Sequence, residues 1–297
     1  MPVMPRWHVF VNRAAGRRPV DPSLVKRILD DLGVDAEIIA PDSGKAMTGL
    51  IQETARTGSR HFAVTGGDGT VNLAVNALVP LGLDPRPVLG VLPVGTGCDL
   101  LRTFGLPQDL AGAARHLTTG DTYDVDVGSL EGEWGTRFVV NVAQTGVGAA
   151  AAQTAARIGR RLGVLRYPLA FAARLPGFPK ANVRIVTERR TIETEALAVI
   201  LANAQFFAGG WNVAPKATMI DGVLDIQVIN CRKTSAPALV PKVIKGTHLT
   251  DPAVRRLSAA EFSIETDPSW PVECDGEPVG NTSVKGRVVP AAISLKI

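Results

Sequence analysis

The sequence predicts an α/β protein with a doubly wound parallel sheet in its N-terminal half and a mainly β, sandwich-like C-terminal half. In the first half, short apolar runs alternate with helical patterns, as is typical of parallel βαβ units. After Gly120 the pattern changes to alternating polar and apolar residues, which indicates half-buried strands. Two glycine turns directly follow early apolar runs, so a ligand site is expected at the carboxyl ends of the strands.

The predicted elements of the first half follow from these apolar runs and their flanking turn residues. Asp42 or Ser43 is expected to cap the second helix, and Gly33 to end the first. In chain order, strands are predicted over residues 8–11, 35–39, 61–64 and 88–92, and helices over 22–32, up to about residue 57, 71–78, 100–104 and 106–118.

The second half is predicted to contain mainly strands, with one helical interlude over residues 149–175. The boundary is placed near Gly128, giving domains of residues 1–128 and 129–297. Because no Ser- or Gly-rich linker separates them, we expect the domains to touch and the cleft between them to hold the active site. Strands are predicted over residues 123–128, 138–142, 181–187, 191–203, 223–230, 261–265 and 291–297.

Composition narrows the class of protein. The chain has 297 residues, 45% of them hydrophobic and 20% charged, which is typical of a globular protein with sizeable cores. Three separated cysteines form neither a metal spacing nor a disulfide framework, which favours a reducing, cytoplasmic location. The longest uncharged stretch, residues 138–156, carries amides and glycines that do not suit a membrane span. A net charge of +4 is compatible with anionic membranes or nucleotides.

The two glycine turns, Thr65–Thr70 and Pro93–Asp99, each lie between a predicted strand and a helix. Such a turn directs backbone N–H groups outward beside the positive end of a helix dipole, which favours phosphate. Asp68 and Asp99 would repel phosphate unless a cation lay between, and Mg²⁺ is the hard ion that bridges carboxylate to phosphate. Two turns of this kind favour nucleotide binding, and neither is a P-loop or a dinucleotide fingerprint.

These turns resemble the motifs of the diacylglycerol kinase catalytic-domain family, which includes bacterial lipid kinases and is related to sphingosine kinases, NAD kinases and phosphofructokinases. Residues 65–70 match its GGDGT signature, and residues 93–99 match its P-x-G-T-x-N-D motif, with Cys98 in place of the usual Asn. The resemblance implies a phosphofructokinase/NAD-kinase-like first domain to which the last strand returns. Residues 12–16, 126–128, 209–225 and 275–278 also match family motifs, and all the matches occur in the same order along the chain as in the family.

The resemblance also implies which residues hold ATP and Mg²⁺. Asp68, Asp99 and Asp126 would form an acidic network that reaches Mg²⁺ through water. Asp221 would hold a structural Mg²⁺ with the carbonyls of Thr218 and Val223, although an ordinary Asp-Gly hairpin turn explains this segment equally well. The implied nucleotide-binding residues are Asn12, Gly16, Thr65, Gly66, Gly67, Asp68, Gly69, Thr70, Gly95, Thr96 and Asp99.

Phosphoryl transfer to an alcohol also needs a base near the hydroxyl. The resemblance implies that an acid of the Asp275-Gly276-Glu277 turn takes this role, with Asp68 as a further catalytic residue. The sequence does not distinguish Asp275 from Glu277 as the base.

The leading hypothesis is an ATP- and Mg²⁺-dependent lipid kinase, a transferase that phosphorylates diacylglycerol or a related lipid alcohol in phospholipid biosynthesis. The alternatives are an NAD kinase and a non-catalytic nucleotide- or lipid-binding relative. The basic and apolar stretch from Arg157 to Lys180 suits either an anionic membrane surface or the solvated face of a packed helix pair. The expected partner is a lipid substrate at a membrane surface, with peripheral association; a homodimer stays open, and no nucleic-acid signature is present.

Overall fold

The computed structural model describes residues 5–16, 19–95, 98–158 and 165–297. The chain divides into two compact units, the first made of Met1–Asp126 with Pro290–Ile297 and the second of Val127–Val289. In the described ranges, no helix has both the length and the apolar character needed to cross a membrane.

A parallel sheet forms the first unit, with helices between its strands. Its strand order is β2-β1-β3-β4, and the end of the last strand of the chain pairs in parallel with β4 through Ser294 and Leu295. The strands are β1 (Trp7–Val11), β2 (Ala36–Ile39), β3 (His61–Gly66) and β4 (Val88–Pro93). The helices are α1 (Pro22–Asp31), α2 (Gly44–Arg56), α3 (Asp68–Leu78), α4 (Asp99–Thr103) and α5 (Leu110–His116), with a 3-10 turn at Val79–Leu81.

Local sequence explains where these helices begin. Asp21 accepts a hydrogen bond from Ser23 N and Pro22 occupies the first turn of α1, as is usual at a helix N-terminus. Ser43, rather than Asp42, caps α2, with its side chain accepting from Ala46 N at 3.2 Å. Residues 62–66 of β3 are all buried, which fits a parallel strand covered on both faces.

Two antiparallel sheets form the second unit. One has the order β12-β11-β10-β7-β14-β15, and the other contains β13, β8, β9 and the first part of β16. The strands are β5 (Thr122–Gly132), β6 (Gly135–Val139), β7 (Val142–Gly146), β8 (Ala181–Thr187), β9 (Thr191–Ala196), β10 (Ala198–Ala202), β11 (Leu224–Ile229), β12 (Val254–Ala259), β13 (Glu261–Asp267), β14 (Pro271–Cys274), β15 (Glu277–Asn281) and β16 (Val284–Lys296). The helices are α6 (Val147–Arg157), α7 (Arg166–Arg174) and α8 (Ala236–Lys245), with a 3-10 turn at His248–Thr250.

Both sheets contribute to one apolar core. Val199 and Ile226 of one sheet belong to the same buried cluster as Ile185 and Ile264 of the other. This packing is that of a β-sandwich, whose inner faces interdigitate. The predicted fold class, a doubly wound α/β domain with a mainly β sandwich-like domain, is therefore confirmed.

Several predicted elements differ from the structure, among them the strand over residues 138–142, where β6 ends at Val139 and β7 begins at Val142. The single strand predicted over residues 191–203 is divided at Leu197, because the chain passes there from the sheet of β9 to the sheet of β10. The N–H of Leu197 donates to Ile229 O of the second sheet. The helical interlude is two helices, and residues 159–164 between them, including Arg160 and Arg161 of the basic stretch, lie outside the described residues. Helix α8 was not predicted, because Pro241 lies inside it and proline usually interrupts a helix at such a position.

Candidate active site

The exit turns of β1, β3 and β4 meet at the carboxyl edge of the parallel sheet. Asn12 N donates to Thr65 O at 3.2 Å, and Val94 N donates to Gly66 O at 3.3 Å. The turn after β4 approaches the turn after β1 so closely that a Cβ on Gly95 would lie 2.9 Å from the Cα of Gly16. Glycine is required at Gly95 for this contact and for its φ of +95°.

Polar side chains of these turns collect at the start of α3. Asn12 Nδ2 donates to Thr70 Oγ1 at 2.9 Å, and Asn12 Oδ1 accepts from Ala14 N at 3.1 Å. Gly66 leaves room for Thr70, since a Cβ there would lie 2.2 Å from Thr70 Oγ1. The buried hydroxyl of Thr65 has no hydrogen-bond partner among the described residues.

The other two glycines of the turn between β3 and α3 occupy different positions at the start of the helix. Gly67 is the N-cap of α3 and makes no side-chain cap. Gly69 lies in the first turn of α3, where an added Cβ would have no neighbour within 4 Å among the residues that the structure describes. The turn therefore leaves its outer side uncovered, which is the property that a phosphate-binding turn needs.

Asp68 connects the two glycine turns. Its Oδ1 accepts from Asp99 N at 2.8 Å, from Leu100 N at 3.2 Å and from Cys98 Sγ at 3.2 Å. These donors start α4, so Asp68 acts as a cap supplied from a neighbouring turn. Asp99 is buried and pairs with Arg102 Nε at 3.5 Å. Thr96, predicted to contact phosphate, lies outside the described residues.

Cys98 stands where the family motif usually has Asn. The residue is buried, and its thiol is the donor to Asp68. Burial, and then the nearby Asp68 carboxylate, raise the pKa of the Cys98 thiol, so it stays protonated at neutral pH. Its backbone N–H donates to Gln108 Oε1 at 2.8 Å. The substitution thus preserves a donor toward Asp68.

Asp126 is buried, and its side chain contacts the C-terminal segment of the chain. Its Oδ1 accepts from Ala291 N at 2.7 Å, where Ala291 has a φ of +46°. This contact fixes the segment of β16 that enters the parallel sheet. In the described part of the chain, no three His, Cys, Asp or Glu residues group as metal ligands. A water-linked network from Asp126 to Asp68 and Asp99 therefore stays a prediction.

Asp221 lies in an exposed turn. Its Oδ1 accepts from Val223 N at 3.3 Å, and Gly222 follows with a φ of +73°. This is an Asx-type turn that leads into β11, and it is not the hairpin turn that the alternative predicted, because residues 217–222 before β11 form no strand. One carboxylate with the carbonyls of Thr218 and Val223 is an all-oxygen set of the kind Mg²⁺ accepts. The chemistry of these residues therefore fits a hard ion, while the coordination itself stays a prediction.

We call Asp275-Gly276-Glu277, the turn between β14 and β15, the acid turn. Asp275 is buried, and its carboxylate accepts three backbone N–H groups, from Val140 at 2.7 Å and from Asn141 and Val142 at 2.9 Å each. Asp275 and Gly276 have φ of +47° and +90°. Glu277, by contrast, is exposed. The structure thus separates the two candidate bases into one that is firmly held and one that is open to solvent.

Glu273 is a functional candidate that the sequence-based prediction missed. Its side chain is fully buried, its Oε2 accepts from Gln144 Nε2 at 2.7 Å, and its Oε1 accepts from Gly276 N. Burial is the main cause that raises the pKa of Glu273 to about 8, and Asp275 adds to it. An acidic residue between Val272 and Cys274, in a strand beside the acid turn, was the available signal.

An apolar cavity of about 270 Å³ lies in the second unit, between β7, β10 and β11 and helices α6, α7 and α8. The Gln144 amide and the Tyr167 hydroxyl are polar groups in its lining, 3.4 Å apart from Oε1 to Oη. Burial raises the pKa of the Tyr167 hydroxyl above its ordinary value, so it stays protonated. Apolar lining residues include Val147, Leu175, Ile200, Phe207, Trp211 and Leu239.

Two family models match the chain and together span it almost completely. Residues 6–130 match the diacylglycerol kinase catalytic domain, and residues 141–297 match the YegS C-terminal NAD kinase beta sandwich-like domain. The chain therefore belongs to the diacylglycerol kinase catalytic-domain family, and the resemblance drawn from its motifs is confirmed.

Individual relatives agree with the family. The chain is 25% identical over 279 residues to a diacylglycerol kinase of Bacillus subtilis, covering 92% of this chain and 90% of the relative. It is 30% identical over 268 residues to a diacylglycerol kinase of Mycobacterium tuberculosis, covering 89% and 85%. A crystal structure of a diacylglycerol kinase from Bacillus anthracis matches its fold with a TM-score of 0.73 at 22% identity, over 98% of this chain and 96% of that one.

Proposed function

We propose that this protein is a lipid kinase that transfers a phosphoryl group from ATP, with Mg²⁺, to the hydroxyl of diacylglycerol or a related lipid alcohol. The observation that carries the proposal is the apolar cavity of the second unit, in a chain whose first unit gathers three strand-end turns. A cavity with so apolar a lining suits an acyl chain and not a soluble dinucleotide, which favours a lipid acceptor over NAD.

The turns of the first unit supply the nucleotide side of the proposal. Backbone N–H groups from Gly67 to Gly69, and the turn at Gly95, would hold the phosphates of ATP. The unpartnered Thr65 hydroxyl and the open side of Gly69 fit such a ligand in the described part of this edge. When bound, Mg²⁺ neutralises the phosphate charge, and Asp68, Asp99 and Asp126 would hold it through water.

The acid turn supplies the acceptor side. Removal of the hydroxyl proton by a carboxylate lets the lipid oxygen form a bond to the γ-phosphorus as the bond to ADP breaks. Asp275 is positioned by three N–H donors, and Glu277 is exposed. Either carboxylate can receive the proton, and both remain candidates.

The test offers the purified protein radiolabelled ATP and Mg²⁺ with diacylglycerol micelles, a sphingoid base or NAD in turn. We expect label in diacylglycerol. The matched variants are Asp68→Asn, which keeps an oxygen acceptor for the N–H groups of α4 but removes the charge, and Asp31→Asn, an exposed acid at the end of α1. Asp68→Asn should lower transfer by roughly 100-fold or more at unchanged Tm, and Asp31→Asn should not. Label in NAD alone, or in no acceptor, would refute the proposal.

We further propose that the protein works at an anionic membrane surface. Leu165 and Leu169 of the α7 region are 57% and 50% exposed, and the exposed Arg174 ends the same helix. Pro168 and Phe171 of α7 also line the apolar cavity, so the exposed leucines flank it. Apolar and basic side chains on one helix favour an interfacial position.

A further inference from the structure

A half-buried tyrosine, Tyr167, and two buried side chains, Gln144 and Glu273, connect the apolar cavity to the acid turn. Tyr167 Oη lies 3.4 Å from Gln144 Oε1 and 3.3 Å from Gly148 O. Gln144 Nε2 donates to Glu273 Oε2 at 2.7 Å, and Glu273 Oε1 accepts from Gly276 N, inside the acid turn. Gln144 and Gly148 belong to the cavity lining, so the contacts run without a gap from the cavity to the turn.

The Glu273 carboxylate determines which way the Gln144 amide points. Both oxygens of Glu273 accept hydrogen bonds, from Gln144 Nε2 and from Gly276 N, which is the pattern of the ionised carboxylate that is favoured above a pH of about 8. In that form Glu273 can only accept, so Gln144 must direct its NH₂ group at Glu273 and its oxygen toward Tyr167. The space beside Gly148 is filled by this oxygen, since a Cβ on Gly148 would lie 2.1 Å from Gln144 Oε1. The cavity is therefore presented with an acceptor from Gln144.

The same carboxylate holds the acid turn from within. Asp275 fixes the turn through the N–H groups of Val140, Asn141 and Val142, and Glu273 fixes its next residue through Gly276 N. The left-handed conformation of Asp275 is costly for a residue with a side chain and persists only where its surroundings hold it. Two anchors meet this need.

Resting on the proposed function, we propose that Glu273 is a positioning residue that sets both the orientation of Gln144 in the acceptor cavity and the geometry of the acid turn. A single buried carboxylate then links where the lipid binds to where its hydroxyl loses a proton. Glu273 itself lies behind Gln144 and is fully buried, so it acts through its neighbours.

Glu273→Gln separates the two roles. Its amide oxygen can still accept from Gly276 N, but its NH₂ group faces the NH₂ group of Gln144, so Gln144 must turn over and present a donor to the cavity. We expect KM for the lipid acceptor to rise roughly tenfold, the scale of one mispaired buried polar group, with kcat changed less than about threefold. Glu273→Ala removes both contacts, so kcat should also fall, by roughly tenfold or more.

Gln144→Glu combined with Glu273→Gln exchanges donor and acceptor. The new amide at position 273 would then donate to the carboxylate at position 144 and still accept from Gly276 N. We expect kcat to stay near that of the parent protein, while KM stays high because a carboxylate now faces an apolar cavity. Tyr167→Phe should raise KM without affecting the turn. Glu131→Gln, at an exposed position of β5, is the matched control.

Hydrogen exchange at the Gly276 amide gives a readout that does not depend on catalysis. Exchange should accelerate in Glu273→Ala and remain slow in Glu273→Gln, Tyr167→Phe and the exchanged pair. Unchanged exchange in a folded Glu273→Ala variant would overturn the proposal. So would parental KM in Glu273→Gln. If Glu273→Ala does not fold, the Gln144→Glu/Glu273→Gln double variant and Tyr167→Phe still test the proposal. Accelerated hydrogen exchange at Gly276, or a lowered kcat, in either of these variants would contradict it.

A failure of the proposed role of Glu273 can be distinguished from a failure of the proposed lipid kinase function. If the parent protein phosphorylates no lipid, the proposed function fails, and the inference is then judged by Gly276 exchange and by the affinity of the same variants for a fluorescent fatty acid. If the parent is active but the variants keep its KM, kcat and exchange, the inference alone fails.

Discussion

At the residue scale, Cys98 shows how a motif residue can change while its contact persists. The thiol donates to Asp68 Oδ1, which also accepts the N–H groups of Asp99 and Leu100. Because burial and Asp68 both raise its pKa, the thiol remains a donor across the neutral range. The departure from the family's Asn therefore weakens this donor without removing it.

Two substitutions at Cys98 test this interpretation. Cys98→Ser retains a donor of similar size, so kinase activity should equal or exceed that of the parent. Cys98→Ala removes the donor and should lower the free energy of unfolding by about 1 kcal/mol, with a several-fold loss of activity. Initial rates with labelled ATP and thermal unfolding measure both effects. Equal rates for Ala and Ser would show that the thiol contact with Asp68 has no catalytic value.

At the element scale, the connection from β3 to α3 places two glycines in opposite environments. A Cβ on Gly66 would lie 2.2 Å from Thr70 Oγ1 and 2.5 Å from Thr70 Cβ, so the strand end and the helix start are in direct contact there. A Cβ on Gly69 would meet no described residue within 4 Å. One glycine is thus required by the fold, and the other leaves space at the proposed phosphate site.

Alanine at each glycine should therefore give opposite effects on stability. Gly66→Ala must displace Thr70 and its bond from Asn12, and should lower Tm clearly. Gly69→Ala improves helix propensity and should stabilise the fold by about 0.5–1 kcal/mol, yet its methyl group would obstruct phosphate. Calorimetry with and without ATP and Mg²⁺ measures both. If ATP protects Gly69→Ala as strongly as the parent, the phosphates do not bind over this turn.

At the scale of the whole molecule, net charge and exposed apolar surface are the two properties on which the proposed membrane binding depends. A net charge of +4 favours anionic surfaces only weakly and would be screened by salt. The exposed leucines of the α7 region add an apolar contribution, and so does Ile244, 38% exposed, which belongs to α8, another of the helices that line the cavity. We therefore expect binding that depends on both charge and apolar contact.

Sedimentation with vesicles of phosphatidylglycerol tests this expectation. Leu169→Glu should reduce the bound fraction about five- to tenfold, because it replaces apolar contact with a charge that anionic lipid repels. The control is Leu24→Glu, which places the same charge on a leucine of α1 that is 42% exposed. Raised salt should weaken the binding of both the parent and the control. Equal loss in both variants would indicate a general charge effect and no specific face.

Much of the fold could be predicted from the local pattern of apolar and polar residues along the sequence. The alternation of apolar runs and helices predicted the parallel sheet, and the turns at Gly66 and Gly95 do lie at its carboxyl edge. The family followed from motifs that are themselves short and contiguous. Helix α8 and the break at Leu197 were missed, because a proline inside a packed helix and a strand that changes sheets depend on distant partners.

What the sequence alone determined is thus the elements of the first unit, the family and the residues that line the turns, all of which depend on neighbours along the chain. What the tertiary structure decided is how deeply each acidic side chain is buried and which groups it is hydrogen-bonded to. Asp275 is held by N–H groups 133 to 135 residues away, Asp126 by one 165 residues away, and Glu273 by an amide 129 residues away. Burial and hydrogen bonding set the behaviour of a carboxylate, and both come from segments far apart in sequence.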